Sequence, residues 1–308
     1  MYLDTLVRSL RLEEFPLFHV FVISDINVLG GVQKKRRLHA PNDAMRMVHQ
    51  TFIGYLRGLG IWCPSATGAV RRGSPARNVA FHRRNRYLYT LDLKGAYQQV
   101  DAHKLAAILC REDPKLAKHD HDKVVAFLER YCMASSPETG LATGAPASPD
   151  LFNIYAEVLL DRALRELCVQ YNLCYTRYLD DITLSSQKGP IGDRKRKAIK
   201  KTIRECGFVI NENKTHLWDL QKGPAVINGV GLKLGGRMYV PAHYISKMRG
   251  ILHLALHNPD KAPSAETING MMGVITDILT VSGLPKSKTE QKLFSYYYAW
   301  RQTTKGCQ

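Results

Sequence analysis

The sequence predicts an α+β fold, with helices packed on one face of an antiparallel sheet. Two features carry this. The elements run strand, helix, hairpin, helix and strand, and a second hairpin closes on Gly235-Gly236, a pair suited to a tight turn. Taken in order, "MYLDTLVRSLRLEEF" has the spacing of an amphipathic helix, and the short run "FPLFHVFVI" reads as a buried segment. "RYLYTLD" alternates tyrosine and leucine up to Asp92, where a strand should end. Asp101 is placed to cap a helix through "AHKLAAILC". Ser148 should cap the next helix, with Pro149 in its first turn and Leu151, Ile154, Tyr155, Val158 and Leu159 as its apolar stripe. "YTRYLDDITLS" then reads as strand, Asp-Asp, strand. Ile199, Thr202, Ile203 and Cys206 share one face of a basic helix that Gly207 can terminate, "FVIN" reads as a short strand, and the pattern from Pro241 onward is helical.

Composition narrows the function. Lysine and arginine number 44 against 27 acidic residues, a formal charge of +17, which favours a polyanionic partner. A membrane is disfavoured, because no apolar run approaches the ~20 residues that span a bilayer. The basic residues cluster at Lys34, Lys35, Arg36 and Arg37, at Arg71 through Arg86, and at Arg194 through Lys201. Three such clusters around the aspartates suggest a groove that tracks a phosphate backbone. The seven cysteines include no C-x-x-C pair and read as reduced thiols of a cytoplasmic protein. "KHDHDK" reads as a solvated turn.

Asp92, Asp180 and Asp181 stand where strands end or turn. Adjacent anions repel, and aspartate is a poor strand former. The pair is either an ordinary turn or part of a site that supplies compensating charge. Hard carboxylate oxygens suit Mg²⁺, and two such ions can clamp the attacking and leaving oxygens of a phosphoryl transfer.

Several segments decide between these. "YLDD" resembles the Y-x-D-D motif of reverse transcriptases, "LDLKGAYQQV" their first aspartate motif, and "GAPASPDLFNI" the segment between them. "GFVINENKT" and "INGVGL" resemble the segments that follow, and "KKRRLHAPND" the basic fingers segment upstream. "GAVRRGSPARNVAFH", with Asn78 and His82, and "MYVPAHYISKMRGILH" are similar to the bacterial retron branch. The likeness runs from about Lys34 to His257 with all motifs in order. It departs from the branch at Thr143, where many members carry glutamine, at Val79, at "INGVG" in place of V-T-G, and at "DLKGAY", which lacks the usual Asp/Phe pair.

The resemblance implies a right-hand polymerase: an N-terminal region and fingers over 1–89, a palm over 90–236 with a finger-side insertion at about 102–143, and a helical thumb over 237–308. It implies RNA-directed DNA synthesis with two Mg²⁺ ions, Mn²⁺ being a substitute. The ions would be held by Asp92, Asp180, Asp181 and the Leu93 carbonyl. It assigns nucleotide binding to Arg71, Arg72, Tyr97, Thr143, Gly144, Ala145, Pro146 and Lys214, and primer or template binding to Lys34, Lys35, Arg36, Arg37, Asn78, His82, Gly229, Val230 and Gly231. Deoxynucleotides, a structured non-coding RNA template, its DNA product and a separate effector or toxin protein are the implied partners, in anti-phage defence. Two rivals accompany it: a defence polymerase making untemplated or protein-primed DNA, and a silent RNA-binding module of polymerase shape.

Overall fold

In the computed structural model, residues 18–25, 34–114, 116–118 and 121–305 are described. The expected helix within residues 1–15 lies outside them. The central element is a four-stranded antiparallel sheet. It is built from β3 (Tyr87–Asp92), β4 (Cys174–Tyr178), β5 (Asp181–Ser186) and β6 (His216–Asp219) in the order β4-β5-β3-β6. As expected, β3 ends at Asp92. The anticipated strand "FVIN" is only a single bridge between Ile210 and Leu93, and the partner on that edge of β3 is β6.

Strand periodicity decides which side chains meet. Tyr89 and Leu91 of β3, with Ile182 and Leu184 opposite them on β5, enter one apolar core. That core is completed by α1 (Asp43–Gly58), α3 (Ala102–Glu112), α4 (His121–Tyr131), the continuous α5 (Ser148–Ala156) and α6 (Arg162–Tyr171), and α7 (Asp193–Glu205). Leu88 has the opposite parity and joins a second core with α2 (Pro75–His82). This second core also takes in β7 (Ala225–Ile227), β8 (Val230–Leu232), β9 (Met238–Tyr239), α8 (Ala242–His257), α9 (Ala265–Ser282) and α10 (Lys288–Lys305). Both faces of the sheet are therefore covered, rather than one.

The capping expectations hold in part. Asp101 Oδ1 accepts from Lys104 N at 2.8 Å and starts α3. Ser148 lies within α5 instead of capping it, and its hydroxyl donates to Ala142 O at 2.7 Å. Ile199 and Ile203 are buried along α7, and Gly207 follows it with φ 87°. β1 (Phe18–Asp25) pairs with β2 (Lys34–Pro41) as a ribbon. Of the "FPLFHVFVI" segment, only Phe18 to Ile23 lie within the described residues. There Phe18 is half-buried against the first core, but Phe21, Val22 and Ile23 are exposed rather than buried as expected, because a two-stranded ribbon has no second layer to cover both faces.

Candidate active site

Asp92 is the last residue of β3 and lies in register opposite Asp181, the first of β5. Directly paired residues on neighbouring strands point to the same face, so the two carboxylates share one end of the sheet. Asp180 occupies the two-residue loop before β5, and Leu93 N donates to its carbonyl at 2.9 Å, tying the loop to the end of β3. The three aspartates singled out in the sequence are thus brought together.

The loop is strained. Leu179 has φ 54°, a left-handed conformation that costs a bulky side chain about 1–3 kcal/mol. The buried Arg177 holds it, its Nη1 donating to Leu179 O at 3.0 Å. Arg177 has the parity of Ile182 and so points into the first core. There it makes a two-pronged bond to Asp161, whose side chain is equally buried, with Nη2–Oδ2 at 2.8 Å. Burial is the largest single influence and would lower the guanidinium pKa, but the charge and hydrogen bond of Asp161, with the nearby Tyr175 and Cys63, together outweigh it and the net shift is upward. Asn153 Oδ1 and the Phe152 ring complete its surroundings. Neither Arg177 nor Asp161 is among the residues expected from the sequence. The available signal was an arginine at a core-facing position of a strand.

On the acidic face, Asp92 Oδ1 accepts from Asn211 Nδ2 at 2.9 Å and Oδ2 from Lys214 Nζ at 2.7 Å. The hydrogen bond to Asp92 raises the Lys214 pKa. Asp181 Oδ2 accepts from Asn228 Nδ2 at 2.7 Å. Burial, then the charges of Asp180 and Asp92, push the Asp181 carboxyl up to about 6. Among the described residues no three His, Cys, Asp or Glu side chains already converge on one ion position. Two observations nonetheless fit a divalent cation: Asp92 already accepts from a positive group, the Lys214 ammonium, and Asp181 lies opposite Asp92 and beside Asp180, whose charges raise its pKa.

Tyr97 packs its ring against Phe152 at 5.4 Å. Burial and then the Asp180 charge push its phenol well above the usual range. Thr143 accepts weakly from Gln98, and its carbonyl accepts from His39 N of β2. Gly144 has φ 103°, and a Cβ there would stand 3.3 Å from His39 O, so this loop lies against the ribbon. Ala145 is buried and Pro146 half-buried. Arg71 and Arg72 are exposed on the loop after Gly68, and Gly68 packs on Leu179. Leu93 is buried.

The primer and template assignments divide. The side chains of Lys34, Lys35 and Arg36 lie outside the described residues; Arg37 is half-buried on β2. Asn78 and His82 are both 0% exposed, their polar atoms bonded inward, so in this structure they do not face a nucleic acid as expected. Val230 and Gly231 are also buried, and a Cβ on Gly231 would stand 2.3 Å from the Tyr239 ring; packing accounts for that glycine. Gly229 is exposed at the tip of the β7–β8 hairpin. Arg86 of the second basic cluster is held by Asp219, and Arg196 and Lys200 of the third by Asp193 and Glu212, while Arg83 and Arg84 stay exposed. The six cysteines described are free thiols, and no helix among the described residues is long and apolar enough to cross a membrane.

A family model for reverse transcriptase (RNA-dependent DNA polymerase) matches residues 30–235. The chain belongs to this family. Its curated relatives include the retron Mx65 reverse transcriptase of Myxococcus xanthus, 24% identical over 80% of this chain and 58% of the relative. The retron Ec73 reverse transcriptase of Escherichia coli is 26% identical over 74% of this chain and 72% of the relative. The chain thus spans 58% to 72% of the length of these two reverse transcriptases. Among solved structures, Candida albicans telomerase in complex with a TWJ fragment of telomeric RNA superposes with a TM-score of 0.52, at 9% identity, covering 97% of this chain and 60% of that one. Apo telomerase from Candida tropicalis gives 0.51 at 12% identity, covering 94% and 57%. At such identities the telomerases support the reverse-transcriptase fold alone, which agrees with the mixed helix and antiparallel sheet seen here.

Proposed function

We propose that this chain is a retron-type RNA-directed DNA polymerase that extends a 3′ end with deoxynucleotides on a structured non-coding RNA. The observation that carries this is the register pairing of Asp92 with Asp181, with Asp180 in the loop between strands. Asp92, Asp180, Asp181 and the Leu93 carbonyl would hold two Mg²⁺ ions, which Mn²⁺ can replace. When bound, the ions neutralise the triphosphate and activate the attacking hydroxyl.

The remaining steps belong to side chains of the protein. Arg71 and Arg72, exposed on the loop after Gly68, which packs on Leu179, are suited to grip the triphosphate, because guanidinium matches phosphate with paired donors. The Tyr97 ring, packed against Phe152, would lie beneath the incoming sugar and exclude a 2′-hydroxyl. Lys214 would leave Asp92 as positive charge arrives there, and would then supply a proton to the departing pyrophosphate at Nζ. The exposed arginines of the second cluster would supply salt-sensitive contacts to the RNA backbone. Fingers within 1–89, a palm over 90–236 and a thumb over 237–308 are the proposed lobes, and action in phage defence beside a separate effector protein is part of the same proposal.

The test is primer extension on an RNA template by the purified protein and by Asp180→Ala. Loss of synthesis in the variant is expected; persistence would overturn the assignment. Sequencing products made without template separates this function from untemplated or protein-primed synthesis.

A further inference from the structure

Asn78 and His82 are fully buried polar residues for which direct contact with nucleic acid leaves no role. Their hydrogen bonds have one consistent direction, and it can be worked out from the Asp181 carboxylate. An ionised carboxylate only accepts, so Asn228 must turn its Nδ2 toward Asp181, at 2.7 Å. Its Oδ1 then faces Asn78 Nδ2, also at 2.7 Å, and Asn78 Oδ1 is left to accept. Thr176 Oγ1 donates to that oxygen at 2.6 Å, and Thr67 Oγ1 at 2.9 Å. Thr176 has spent its one proton, so His82 Nε2, at 2.7 Å, must carry a hydrogen and donate to it. His82 Nδ1 is therefore the acceptor, taking the proton of Ser185 Oγ at 2.6 Å, while Ser185 accepts from Asn85 Nδ2 at 2.6 Å. A neutral His82 is what this requires, and burial lowers its pKa to about 3.

We infer that Asn85, Ser185, His82, Thr176, Asn78 and Asn228 form one directed chain of hydrogen bonds ending on Asp181, in which Asn228 is the positioning residue that fixes the carboxylate for metal binding. Successive donors polarise one another in the same sense, so the last donor is stronger than an isolated amide. The chain spans α2 and the loop after it, β4, β5 and the β7–β8 turn. It therefore fixes the acidic end of the sheet to the hairpin of the second core. The inference rests on Asp181 being a metal ligand in the proposed function.

The turn allows a clean test. Asn228 has φ 48° and Gly229 φ 78°, so Asn228→Gly keeps a turn conformation that glycine adopts freely and removes only the amide. Three measurements on the full chain are needed: melting temperature, Mn²⁺ affinity by electron paramagnetic resonance without nucleotide, and kcat and KM for dNTP in primer extension. Asn228→Gly should melt within about 3 °C of the parent. It should lose about tenfold in Mn²⁺ affinity and in kcat, the size of one charge-assisted hydrogen bond, with KM for dNTP unchanged. Thr176→Val, further up the chain, should lose about threefold in both. The double variant should match Asn228→Gly alone, because the link to Asp181 is already cut.

Parental Mn²⁺ affinity and kcat in Asn228→Gly, or losses that multiply in the double variant, would overturn the chain. If Asn228→Gly weakens Mn²⁺ binding but neither protein extends a primer, the chain stands and the polymerase function fails. If the parent extends primers and Asn228→Gly equals it, the function stands and the chain fails. No Mn²⁺ binding by the parent would overturn both.

Discussion

The Leu179–Asp180 loop and the Asn228–Gly229 loop each join antiparallel strands through two residues, and each begins in a left-handed conformation, φ 54° and 48°. In the second loop, local chemistry and backbone agree: asparagine and glycine are the residues such turns favour. In the first, a leucine is held where glycine would be relaxed. Nothing local explains it; the restraint comes from the Arg177 bond to Leu179 O and from the Leu93 bond to Asp180 O. A turn that folds on its own can carry a side chain outward, as Asn228 does to Asp181. A turn that must hold two anions is shaped by the protein around it.

The largest effect that would break this contrast is at Arg177. Arg177→Met leaves Asp161 buried without its counter-charge and frees the Leu179 carbonyl. Chemical denaturation should show a loss of about 3–5 kcal/mol, with polymerase activity lost at temperatures where the variant is still folded. A variant as stable as the parent would show that the strained loop needs no such support.

The neutral side of the hairpin should respond to pH instead. His82 is held neutral with its pKa lowered to about 3, whereas the unfolded chain titrates it near 6.5. The unfolded state then binds the extra proton between these values, so the stability His82 contributes is complete above pH 6.5 and falls as pH drops toward 3. From pH 6.5 to 5 the loss attributable to His82 should reach about 2 kcal/mol, and His82→Gln should flatten that part of the stability profile. An equal slope in the variant would remove His82 from the account.

How much of this was legible in the sequence depends on which forces act. The end of β3 at Asp92, the Asp101 cap and the buried face of α7 followed from periodicity and capping, which are local. The α2 helix misled because its pattern is inverted: Phe81 is 60% exposed while Asn78 and His82 are 0% exposed. Hydrophobicity would bury Phe81, but hydroxyls on β4 and β5 that no local pattern reveals compensate the polar pair. β6 was missed for a similar reason, since His216 and Leu217 are both exposed and its strand character comes from pairing with β3. Of the site, the three aspartates were legible as a set. Arg177, Asn228 and Asn211 were not, because each acts across a distance that only the folded chain closes.

A smaller effect sharpens the comparison by separating stability from activity. The folded-state pKa of Asp181 is raised to about 6, so its ionised form costs folding energy above that pH and nothing below its unfolded value. Asp181→Asn keeps an acceptor for Asn228 and removes the charge. In metal-free buffer at neutral pH it should stabilise the protein by about 1–2 kcal/mol, after discounting for partial exposure, while abolishing extension. A destabilised variant would mean that the repulsion with Asp180 and Asp92 is already relieved in the parent.

The smallest effect concerns the relaxed turn itself. Asn228→Ala and Asn228→Gly both delete the amide, so they should lose metal affinity alike. They differ in backbone cost: alanine must be held at φ 48° without the local compensation asparagine enjoys, about 1 kcal/mol, whereas glycine adopts it freely. Thermal melts should therefore place Asn228→Ala a few degrees below Asn228→Gly, with equal Mn²⁺ affinities. If the two melt together, the turn is not set by local conformation, and the β7–β8 hairpin, like the aspartate loop, is held in shape by what surrounds it.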